Sequence, residues 1–129
     1  MDRMFLNPPD MPTPIGPFSY GVRDGQTIYV SGCVGTEENW KVVGKGDVAA
    51  QTERAFQTIG KILKADGCSF EDVIKMTAYL VNAGDYKAFN EVRKRHFRSP
   101  YPASTVVVVK ELVLPDLLVE VEVVARRRG

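Results

Sequence analysis

Two stretches of this chain hold side chains whose types and spacing could do chemistry. The first is Val119-Glu-Val-Glu-Val123. Strand alternation turns the valines to one face and Glu120 and Glu122 to the other, roughly 7 Å apart. If the valines meet a core, the carboxylates point to the opposite face. If that face is buried as well, a carboxylate there needs a partner or has its pKa raised, which is how a general acid or base is made. The commoner outcome of this pattern is a solvated edge with paired surface charges. The second stretch is Pro100-Tyr-Pro-Ala-Ser-Thr-Val-Val-Val-Val109. Its prolines disfavour helix and its valines favour strand. Ser104 and Thr105 therefore stand where a turn feeds a strand. They either line a site or satisfy only the turn's own backbone.

Other constellations offer less. His96 is the single histidine and sits beside Phe97, which reads as a packed or surface side chain. With no nucleophile elbow, a Ser-His-Asp arrangement is discarded. Cys33 and Cys68 with one histidine make no metal site. The glycines Gly25, Gly32, Gly35, Gly44 and Gly46 form no phosphate-cradling pattern between a strand and a helix. The aromatics Phe18, Tyr20 and Tyr29 could stack a ligand, though such residues more often belong to a core.

The elements that must position these groups follow from pattern. Residues 7 to 17 hold five prolines and form an irregular lead-in. Phe18–Val22 reads as a first strand, Arg23–Gln26 as a turn, and Thr27–Val34 as a second strand, so the pair suggests a hairpin. Gly35–Gly46 is a loop containing Trp40. Asp47 is an N-cap, and Ala55, Phe56, Ile59, Ile62 and Leu63 follow helical spacing to Asp66, with Gly67 as the stop. Ser69–Asp72 looks like one capped turn. Val73–Val81 is a third strand. Tyr86, Phe89, Val92, His96 and Phe97 mark a second amphipathic helix. The Pro100–Val109 stretch is a fourth strand and Leu117–Arg126 the last.

The order is β-β-α-β-α-β-β, an α+β fold with a mixed sheet and both helices on one face. The four valines leave no polar side, so the fourth strand is expected to be buried on both faces. Two helices cover only one face, and self-association is the economical way to cover the other.

The totals bound the function. At 129 residues the chain reads as one domain, 1–129, with 1–17 as its proline-rich lead-in. Seventeen basic and sixteen acidic residues leave a net charge of +1, which gives no general attraction to nucleic acid or membrane. No apolar run reaches membrane-spanning length, and the N-terminus has no secretory pattern. Two cysteines in such a chain fit reduced thiols and a cytoplasmic location.

Six segments in order resemble the Rid family, the reactive intermediate deaminases, also called the YjgF family. They are Ile15-Gly-Pro-Phe-Ser-Tyr-Gly21, Ile28-Tyr-Val-Ser-Gly32, Asp47-Val-Ala-Ala-Gln-Thr52, Asp85-Tyr-Lys-Ala-Phe-Asn90, Pro102-Ala-Ser-Thr105 and Val119-Glu-Val-Glu-Val-Val-Ala125. The resemblance implies a chorismate-mutase-like fold, a homotrimer with a central barrel, and ligand pockets between subunits. It also implies hydrolysis of imines and enamines to a carbonyl compound and ammonia, with no cofactor and no metal. Ser31, Gly32 and Asn90 match the family's ligand-binding positions, and Glu120 matches the glutamate that positions the attacking water.

Three positions depart from the deaminating members. Ser104 stands where they have arginine, Phe18 where they have tyrosine, and Val106 where a cysteine is common. Arginine's planar fork would bind a substrate carboxylate through two parallel hydrogen bonds. A serine offers one neutral donor, so a single-carboxylate imine is expected to bind and react poorly, as fits the family's arginine-lacking subgroup. Ser104 and Thr105 would then recognise a different head group. Arg23 and the arginines of the Arg93–Arg98 segment are the candidates to restore the charge, and the sequence places none of them. Two rival readings accompany the hydrolase: a non-catalytic ligand-binding or regulatory trimer, and, as the least favoured, an endoribonuclease or translation inhibitor.

Overall fold

The computed structural model describes residues 3–128. Its six strands form one mixed sheet, ordered β1-β2-β3-β6-β4-β5. The strands are β1 (Arg3–Leu6), β2 (Gly21–Asp24), β3 (Thr27–Val34), β4 (Val73–Leu80), β5 (Ala103–Val108) and β6 (Val119–Arg126). The helices are α1 (Val48–Ala65) and α2 (Tyr86–Arg93). Only β4 and β5 pair in parallel, because the α2 segment crosses between them.

Helix α1 begins where Asp47 accepts a hydrogen bond from the Ala50 N–H (3.1 Å). Its apolar stripe of Ala55, Phe56, Ile59, Ile62 and Leu63 is fully buried. The helix packs on β3 and β6 and beside α2. Ile28, Val30, Met76, Ala78, Val119, Val121 and Val123 complete the core from the sheet. Ser69 and Asp72 close a capping box on the short 3-10 turn before β4. At Gly35 the end of β3 passes so close to α1 that a Cβ would lie 2.7 Å from the Gln51 Cα. Among the described residues, no helix is long and apolar enough to cross a membrane.

Three expectations need correction. The lead-in opens with a strand: Arg3–Leu6 precedes the prolines, pairs antiparallel with β2, and buries Leu6. The first hairpin is tighter than read. Arg23 pairs with Ile28 and Asp24 with Thr27, so the turn takes only Gly25 and Gln26, with Gly25 at φ 64°. Phe18 is thereby left outside the strand. The second helix ends at Arg93, and His96 and Phe97 follow in a turn. There His96 packs against the rings of Phe56 and Phe70 and meets Glu53 at 3.0 Å.

The valines of the fourth strand are partly exposed in the single chain. Strand β5 lies at the sheet edge, with no neighbour beyond it and α2 over one side only. Val107 is 40% and Val108 53% exposed, so the single chain does not bury this strand on both faces. The sheet face away from the helices is likewise bare, with Tyr29 53% exposed.

Candidate functional site

Strand register decides which candidate groups can meet. In β6 the residues alternate buried and half-buried from Val119 to Ala125. Val121 and Val123 pair with Ala78 and Met76 under the helices, while Glu120 and Glu122 pair with Tyr79 and Thr77. Both carboxylates therefore stand on the open face, as the alternation predicts. On β5, Ser104 pairs with Met76 and Val106 with Ala78, while Thr105 pairs with Thr77. In-register neighbours point the same way. Ser104 thus lies on the helix side of the sheet, and Thr105 lies on the open side with the glutamates.

Around Glu120 the chain builds a cavity of about 620 Å³. The β3–β6 register shifts between Val30 and Cys33, a bulge that carries Ser31 and Gly32. A Cβ on Gly32 would collide with the Glu120 carboxylate, its Cδ only 2.8 Å away; the glycine is what lets the carboxylate settle against backbone. Ser31 donates its hydroxyl to the Ser19 carbonyl (2.6 Å), and its N–H reaches the Tyr20 carbonyl (2.8 Å). Tyr20 donates to the Pro12 carbonyl (2.7 Å), so the proline-rich segment is pinned as one wall. Phe18 stands edge-on to Tyr20, centroids 6.0 Å apart, and faces the same cavity with Trp40 and Met11.

The electrostatics follow from this packing. Burial, and then the neighbouring Glu122, push the Glu120 carboxyl above its ordinary pKa. Glu122 instead accepts a 2.5 Å hydrogen bond from the Tyr79 hydroxyl; that bond leads burial and the two glutamate charges in raising the tyrosine. Cys33 is fully buried, and burial with the nearby Glu120 pushes its thiol up to about 12. It is a packed thiol and not a nucleophile.

The remaining candidates line a separate groove of about 630 Å³ between α2 and β5, which holds Asn90, Ser104 and Val106 and shares no lining residue with the Glu120 cavity. Its centre is Arg93. The guanidinium donates from Nε and Nη2 to Asn90 Oδ1 (2.9 and 2.6 Å). It donates from Nη2 to the Tyr86 hydroxyl (2.9 Å) and from Nη1 to Ser104 Oγ (2.8 Å). It also lies over the Phe89 ring at 5.2 Å. Arg23, another candidate, is spent on Asp66 (2.9 Å). Thr105 accepts from Lys75 Nζ (2.6 Å) outside the groove.

So the structure brings Phe18, Ser31, Gly32 and Glu120 together, and separately Asn90 with Ser104. Arg93, Tyr86 and Trp40 also belong to these pockets; the sequence offered Arg93 only as one of several candidate arginines and gave Tyr86 and Trp40 no site role. Tyr86, Asn90 and Arg93 fall at i, i+4 and i+7, one stripe of a helix, and that spacing was the available signal. Among the described residues, no group of three or more His, Cys, Asp or Glu side chains could hold a metal ion.

A single mixed sheet backed by two helices, with a bulged strand seating a glutamate, defines a class of protein that comparison identifies directly. Residues 9–127 match the family model described as Endoribonuclease L-PSP, and the chain belongs to this family, the Rid or YjgF family. It is 35% identical over 123 residues to the 2-iminobutanoate/2-iminopropanoate deaminase of Homo sapiens, covering 95% of this chain and 89% of that one. Its fold matches RidA of an Antarctic Psychrobacter at a TM-score of 0.88, with 30% identity over 96% of this chain and 99% of the other. It also matches E. coli TdcF with bound serine at a TM-score of 0.87, with 28% identity over 97% and 99% of the two chains.

Proposed function

We propose that this chain hydrolyses small reactive imines and enamines in a pocket completed between subunits of a homotrimer. The observation that carries the reading is Glu120, a carboxyl with a raised pKa set against the Ser31–Gly32 bulge in a walled cavity. The human relative is named for 2-iminobutanoate and 2-iminopropanoate, and the TdcF structure holds serine. Both names describe small carboxylate compounds derived from amino acids.

Glu120 takes a proton from water as the oxygen attacks the imine carbon. The C–O bond forms and the C=N π pair moves to nitrogen, which is protonated. The resulting carbinolamine loses ammonia as the C–N bond breaks and the hydroxyl proton passes back through the carboxyl, leaving a C=O. An enamine enters the same path after protonation at carbon. A carboxyl with a raised pKa suits both proton transfers. Water supplies the oxygen, and the sequence of bonds needs no cofactor.

A trimer is supported by the placement of the two half-sites. Ser104 and Glu120 stand on opposite faces of one sheet, so one small molecule can touch both only if they come from different copies. The bare sheet face and the exposed valines of β5 are the surfaces a second copy would cover. Release of ammonia from 2-aminoacrylate by purified protein is the test, with loss of that activity in Glu120→Ala. Turnover that survives this substitution unchanged removes the assignment to Glu120, and no turnover at all removes the hydrolase for this substrate.

A second reading, a non-catalytic ligand-binding or regulatory trimer, is favoured by the serine at position 104. Ligand binding without ammonia release across a panel of imines would select it. RNA cleavage, the activity in the family model's description, has the least support: the net charge is +1, and the one histidine is packed against two phenylalanines. RNA binding that persists at moderate salt would revive it.

A further inference from the structure

We propose that Arg93, reaching across from α2, makes the Ser104 groove a binding site for the carboxylate of a small monocarboxylate ligand, which deepens and rests on the reading of the pocket as an imine hydrolase site. Among the described residues the guanidinium has only neutral hydrogen-bond partners: Asn90, Tyr86 and Ser104. None of the ion pairs among the described residues includes it. The groove is lined by Met76, Phe97, Tyr101, Pro102 and Val106 beside these groups, and by Lys94, with no Asp or Glu. A half-buried cation among apolar walls and neutral dipoles attracts an anion.

The donor geometry suits a carboxylate. Arg93 spends all but one of its N–H groups on protein, and the one left over is on Nη1, the nitrogen that holds Ser104. Ser104 and Tyr86 accept from the guanidinium, so each keeps its own O–H to donate. The spare Nη1–H and the Ser104 O–H therefore form a pair of adjacent donors, one charge-assisted and one neutral, for the two oxygens of a carboxylate. Asn90 and the Phe89 ring fix the guanidinium, so little side-chain freedom is left to lose on binding. The chain thus carries at Ser104 a positive charge that position 104 itself does not encode. Arg93 is a specificity-determining residue here, and Asn90 positions it.

Pyruvate and pyruvamide differ only in the charged group, and NMR titration of the full-length protein with each reads the preference. The wild type should favour pyruvate by roughly 10- to 100-fold, the range of one charge-assisted bond. Arg93→Ala should abolish that preference, and Arg93→Lys should keep part of it. Ser104→Arg combined with Arg93→Ser moves the guanidinium to position 104 and should restore the preference lost in Arg93→Ala. Unchanged folding of each variant is read from the same spectra. A preference that survives Arg93→Ala, no preference in the wild type, or tighter binding of inorganic phosphate than of pyruvate overturns the proposal. Ammonia release separates the two readings. An Arg93-dependent preference without turnover sinks the hydrolase alone, while turnover of 2-aminoacrylate with an unchanged KM in Arg93→Ala sinks the carboxylate site alone.

Discussion

At Glu120 the fold holds a carboxyl more readily protonated than it would be in the unfolded chain, first through burial and then through Glu122. Between its unfolded and its raised folded pKa, the native state binds the extra proton. Stability therefore falls as pH rises through that window, and no penalty is present below it. Glutamine keeps the shape and removes the charge. Thermal unfolding of Glu120→Gln should match the parent at the acid end and exceed it once pH passes the raised carboxyl pKa. Parallel curves at every pH would mean an ordinary carboxyl. The neighbouring Gly32→Ala should be damaging in a different way, because its Cβ would occupy the carboxylate's own space. We expect that variant to lose imine hydrolysis while retaining far-UV circular dichroism.

The elements are tied together by Gln51, a fully buried amide on α1. It donates to the Asp116 carbonyl (3.0 Å) and the Gly44 carbonyl (3.3 Å) and accepts from the Leu118 N–H (2.8 Å). One side chain thus fixes α1 to the loop that enters β6 and to the loop before α1, and so sets the register on which Glu120 depends. Gln51→Ala leaves these backbone groups without partners and should cost about 2–4 kcal/mol. Urea unfolding at constant m-value would measure it. Asp47→Ala removes only the helix cap and should cost about 1 kcal/mol.

For the whole molecule the decisive matter is what covers the sheet. Tyr29, Val107 and Val108 are apolar and exposed on the single chain, and they are the surface the proposed trimer would cover. Light scattering should give a mass about three times the 14.3 kDa of one chain. Val107→Lys, which puts a charge on that face, should shift the mass toward the monomer and reduce hydrolysis with it. A monomer at micromolar concentration with full activity would rule out a pocket shared between copies.

Much of this was legible in the sequence because it is local. Strand alternation put the Val119–Val123 valines inward and the two glutamates outward, and helix spacing with Asp47 and Gly67 bounded α1. Each depends on residues a few positions apart. The six motifs likewise carried the family, since each is a contiguous run. The N-terminal strand was missed because its partner, not its composition, makes it a strand. The double burial expected of Val106–Val109 is not reached within one chain, because composition does not say that a strand ends up at a sheet edge, and covering it falls to the proposed second copy. The charge at position 104 was beyond the sequence for the same reason. Arg23 and Arg93 are equal as residue types, and only the packing of α2 against β5 turns one toward Ser104 while Asp66 holds the other away.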